Sequence, residues 1–122
     1  MRAEKVKKSC INAKTYAEKI LDSGDNKGAH MLFGSANLLN LANLVAEAAW
    51  YAFQIVEVKK DIVMEGIANT LDGLATQVSK ESEGGYIPAE EYESDVKAVI
   101  EGLDTIIVKL DTMIKNKAKN GK

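Results

Sequence analysis

Apolar residues recur every three or four positions along nearly the whole of this chain, and that spacing limits what it can fold into more than any other feature. Met64, Ile67, Leu71, Leu74 and Val78 advance by alternating steps of three and four, and so do Val96, Val99, Leu103, Ile106, Leu110 and Met113. A period near 3.6 puts each set on one side of a helix. Ile100, Ile107 and Ile114 widen the apolar side of the last segment. No run alternates cleanly with a period of two, and the chain holds one proline. The pattern predicts an all-α fold whose helices pack at shallow angles as a bundle. At 122 residues it is one domain, spanning 1–122.

Boundary signals divide the chain. The first helix is expected from about Ala3 to Asp22, facing inward with Val6, Cys10, Ala13, Ala17 and Ile20. Ser23-Gly24-Asp25-Asn26 stops it, because Gly and Asn accept the left-handed dihedrals that end helices. The second helix starts near Lys27 and is apolar on most sides, which predicts a central position. The third ends at Gly84-Gly85; Pro88 sits at the first position of the fourth, with Glu90 and Glu91 near the positive end of its dipole. The fourth fades into Asn120-Gly121.

Two arrangements remain at Glu57-Val58-Lys59-Lys60-Asp61, where neither Gly nor Pro intervenes. Asp61 could cap a new helix, giving an up-down-up-down four-helix bundle. Alternatively, helices 2 and 3 form one rod of roughly 80 Å at 1.5 Å per residue, which would require a dimer to bury its apolar sides. The four-helix arrangement is the preferred expectation.

Charge narrows the partners. The net charge of −2 gives no strong attraction to nucleic acid or membrane as a whole molecule. Arg2 is the one arginine among 16 basic residues, which argues against sequence-specific reading of nucleic acid. One cysteine, Cys10, allows no internal disulfide and suits a reducing, cytoplasmic setting. The opening MRAEKVKKSC lacks the apolar core of a signal peptide. The apolar stretch from Met31 to Val56 carries Asn37, Asn40, Asn43, Glu47 and Gln54, each costly in lipid, so the chain is not expected to span a membrane. In an up-down bundle Arg2, Lys5, Lys59, Lys60, Lys115 and Lys117 gather at one pole, and Asp22, Asp25, Glu81, Glu83, Glu90, Glu91 and Glu93 at the other. Such charges ordinarily serve as solvated helix ends. The functional alternative is a weak dock for phosphate, anionic lipid or an acidic partner.

The single histidine, His30, lies in Ala29-His30-Met31-Leu32-Phe33-Gly34-Ser35-Ala36. This run resembles the histidine phosphotransfer domain pattern, in which a helical histidine is followed by Leu, Lys, Gly and small residues; Leu44 and Ala48 match later core positions of that family. The resemblance implies a four-helix bundle with His30 as phosphoacceptor, Gly34 and Ser35 leaving room for access, and a sensor kinase and a response-regulator receiver as partners. Phe33 stands where that family has lysine. Tyr16-Ala17, Gly24-Asp25, Ala29, Phe33 and Ala36 also resemble a single tetratricopeptide-type helical hairpin, which accounts for Phe33 as the aromatic between two helices. No second copy follows about 34 residues later, so no solenoid is implied.

Other chemistry finds little support. A helical di-iron site wants Glu-x-x-His on two helices, and zinc wants more than Cys10 and His30. No phosphate-cradling glycine loop or nucleophile elbow occurs. Glu47 belongs to a polar stripe with Asn40, Asn43 and Gln54, or is buried with a raised pKa. Trp50, Tyr51 and Phe53 are expected in helix packing, and Cys10 as a small core residue. The sequence thus predicts a non-enzymatic interaction module without cofactor or metal, binding a protein partner or itself. Self-association is expected because helix 2 has more apolar surface than its neighbours need.

Overall fold

The computed structural model describes residues 2–22, 34–83 and 89–120. Four α-helices make up nearly all of them, with no strand among the described residues: α1 (Ala3–Asp22), α2 (Gly34–Lys59), α3 (Ile62–Ser82) and α4 (Ala89–Asn120). The first helix has the expected bounds. The expected start near Lys27, the stop at Ser23–Asn26, Gly84-Gly85 and Pro88 fall outside the described residues.

The open boundary resolves into two helices, so the alternative of one continuous rod is not realised. Lys60 has a φ of 51°, the left-handed conformation that ends a helix, and its N–H still donates to Val56 O at 2.8 Å. Asp61 then caps α3: its Oδ1 accepts from the N–H groups of Val63 (2.9 Å) and Met64 (3.1 Å). The reversal takes only these two residues, and it carries a lysine in a conformation that costs about 1 kcal/mol relative to glycine.

Cross-helix contacts give pairwise directions. Lys7 pairs with Asp111 and Lys14 with Asp104, so an advance along α1 is a retreat along α4. Tyr16 accepts from Asn40 and Lys5 lies over the Tyr51 ring, which sets α1 against α2 in the same antiparallel sense. Leu74 lies against Gly102, and Glu81 faces Asp95, so α3 opposes α4. The most extensive packing joins α2 to α3; α3 and α4 touch least of the neighbouring pairs.

The core is where the four stripes meet. Val6, Cys10, Ala13, Ala17 and Ile20 of α1 are all buried, as expected. Met64, Ile67, Leu71 and Val78 of α3 and Val96, Val99, Leu103, Ile106 and Leu110 of α4 are buried too, with Leu74 and Met113 at the margin. α2 contributes Leu38, Leu41, Ala42, Val45, Ala48, Ala49, Ala52 and Ile55. Its alanines let neighbouring backbones approach closely. Tyr92, which sequence reasoning passed over, is the largest fully buried side chain and extends the α4 stripe one turn towards its start. Its hydroxyl accepts from Asn37 Nδ2 at 3.2 Å, so the buried phenol is not left unpaired. Burial pushes its pKa up, the Asn37 bond opposes this, and nearby Tyr16 adds to the rise.

α2 differs from expectation: it is not enclosed. Because its buried residues fall on one face, Leu39, Asn43, Ala46 and Trp50 are left on the outside. Trp50 is 58% exposed, which corrects its assignment to helix packing; Tyr51 and Phe53 are half-buried against the core.

Candidate functional site

The pole formed by the start of α1, the α2–α3 reversal and the end of α4 combines charge with bare aliphatic surface. Arg2, Lys5, Lys59, Lys60, Lys115 and Lys117 are all exposed. Lys5 lies over Tyr51 of α2, with its ammonium 5.0 Å from the ring centroid. Lys59, Lys117 and Arg2 converge. The Lys117 ammonium beside Lys59 is the main cause holding Lys59 below the ordinary lysine range; desolvation and then Arg2 add to this, and Asp61 opposes. Between these elements lies a cleft of about 390 Å³, floored by Ile55, Met64, Met113 and Ile114, with Lys59 and Lys117 among its lining residues. Val58 and Ile62 flank the reversal at 81% and 84% exposure, and Val63 is half in solvent. Sequence reasoning located the cations and missed these aliphatics, because they look like ordinary members of an apolar helical run.

The outer face of α2 is the second exposed surface. Leu39 (46% exposed) and Trp50 lie on it, with Asn43 and Ala46 between them at helical spacing. Asn40 and Glu47 are exposed and Gln54 partly so, which fits the polar-stripe reading of Glu47 and corrects the buried one. Asn40 donates to the Tyr16 hydroxyl at 3.3 Å.

At the opposite pole, Glu81 of α3 and Asp95 of α4 face each other. Taken as two carboxylates, Glu81 Oε2 and Asp95 Oδ2 are buried acceptors with no donor. One shared proton satisfies both. Desolvation, followed by the bond to Asp95, its charge and that of Glu91, pushes Glu81 up to about 7. No spacing in the sequence points to this pair.

His30 lies outside the described residues; Gly34 and Ser35 form the start of α2. Cys10 is a buried free thiol whose pKa burial raises to about 12, which leaves it a poor nucleophile. Among the described residues no group of three or more His, Cys, Asp or Glu side chains is placed to hold a metal ion. No described helix is long and apolar enough to cross a membrane. No family model, no curated protein and no solved structure matches the chain.

Proposed function

We propose that this chain is an up-down-up-down four-helix bundle serving as a non-enzymatic interaction module that pairs with a second copy of itself through the outer face of α2. The antiparallel contacts of α1 with α2, α1 with α4 and α3 with α4 support the topology. The observation that carries the function is Trp50. A tryptophan more than half exposed on the most apolar helix forfeits a large burial energy unless something covers it. Tryptophan is also the residue type most enriched at the energetic centres of protein interfaces. Leu39, Ala46 and Trp50 share one stripe with spacing suited to a neighbouring helix, and a two-fold contact would let each copy offer the same stripe to the other.

Light scattering over a concentration series tests this. The unaltered chain should approach twice its 13.3 kDa mass as concentration rises. Trp50→Ala acts on both copies; at about 2 kcal/mol or more each, it should weaken pairing about a thousandfold. A monomeric mass for the unaltered chain at high concentration defeats the proposal.

A further inference from the structure

We infer that the pole around the α2–α3 reversal is a peripheral contact site for an anionic lipid bilayer, with Val58 and Ile62 entering the interface and the surrounding lysines meeting acidic headgroups. This surface is separate from the Trp50 face and does not depend on it. Three observations converge on it. The two most exposed large aliphatics in the described structure, Ile62 and Val58, flank one two-residue reversal. Lys59 and Lys60 lie between them, and Arg2, Lys115 and Lys117 stand at the same pole. Lys59 is crowded by Lys117 and Arg2, and like charges held together in this way are relieved by an anion. The acids close in sequence, Glu4, Glu57, Asp61 and Glu65, still leave the cations Arg2, Lys5, Lys59, Lys60, Lys115 and Lys117 in excess. Asp61 also points its Oδ1 at the first amides of α3.

The composition favours a bilayer over an acidic protein. Lysine is depleted at protein interfaces, and its ammonium is a point charge rather than the two-pronged donor that fits a carboxylate. Valine and isoleucine standing out at a turn suit a soft, fluid surface, whereas a protein partner needs a shaped pocket to receive them. Stable membrane attachment takes two signals, and here an apolar wedge and a basic ring coincide.

The test is co-sedimentation of the full chain with phosphatidylcholine vesicles, with and without phosphatidylserine. It is run at about 0.02 M and about 0.5 M salt, across which charge screening tightens from tens of Å to a few. Binding is expected only with phosphatidylserine, and weaker at high salt. Lys59→Gln with Lys60→Gln should weaken it about 30-fold, the equivalent of about 1 kcal/mol per lysine. Val58→Ser with Ile62→Ser should keep low-salt attraction and lose what survives high salt. All four positions are exposed, and unchanged circular dichroism checks that the variants fold. Equal binding to neutral vesicles, indifference to the lysine changes, or capture by a soluble acidic peptide but not by vesicles would each overturn the inference.

Discussion

The Glu81–Asp95 pair makes stability depend on pH in a direction opposite to most carboxylates. In the unfolded chain Glu81 releases its proton near 4.5, whereas in the folded protein it holds it to about 7. Between those values the native state binds the extra proton, so unfolding free energy falls as pH rises and levels off above about pH 7. Two and a half decades of proton affinity are at most about 3.4 kcal/mol. The pair lies at the partly solvated edge between α3 and α4, and screening brings this to about 1–2 kcal/mol. Asp95→Asn removes the facing charge and supplies an amide donor to the Glu81 carboxylate. At pH 8 it should raise stability by about 1–2 kcal/mol. Urea unfolding followed by circular dichroism, run from pH 5 to pH 8 on both chains, reads this directly. The variant should flatten the decline between those limits. If the unaltered chain is as stable at pH 8 as at pH 5, or if Asp95→Asn destabilises at pH 8, the shared-proton account is wrong.

Other expectations are simpler to check. Asp61→Ala removes the acceptor of two amides and should cost about 1 kcal/mol in urea melts, while Lys60→Gly relieves the positive φ and should add up to about 1 kcal/mol. A methyl group at Gly73 meets nothing within 4 Å, so Gly73→Ala should stabilise by about 0.5–1 kcal/mol; at Gly102 it would meet Leu74 Cδ1 at 3.0 Å, so Gly102→Ala should gain clearly less. Leu103→Ala empties a fully buried site and should cost about 2–5 kcal/mol in the same assay. Cys10 should react with a thiol reagent at pH 8 only as fast as the protein opens, and rapid labelling of the native chain would contradict its burial.

Much of the fold is legible in the residues because helices announce their inner faces. The stripes of α1, α3 and α4 name their buried sides almost residue by residue, and Asp61 signals a cap through its side-chain chemistry. α2 is different. Leucine and alanine occur on most of its sides, so periodicity alone did not reveal that Trp50 and Leu39 face outward; the alanines win the inner face because neighbouring backbones come close there. The break at Lys60 rests on a positive φ in a residue that does not advertise it. The basic pole follows from helix directions and chain ends, while the bare Val58 and Ile62 beside it follow only from where the neighbours stop. The meeting of Glu81 and Asp95 depends on the register between α3 and α4, which no local pattern encodes.

Trp50 is the only tryptophan in the chain, so its fluorescence reports on the central claim without any label. Emission and acrylamide quenching are measured from dilute to concentrated protein. If the outer face of α2 is a contact surface, quenching should fall and the emission should move to shorter wavelength over the same concentrations at which the mass doubles. Emission and quenching that stay those of a solvent-exposed indole at every concentration would contradict the account.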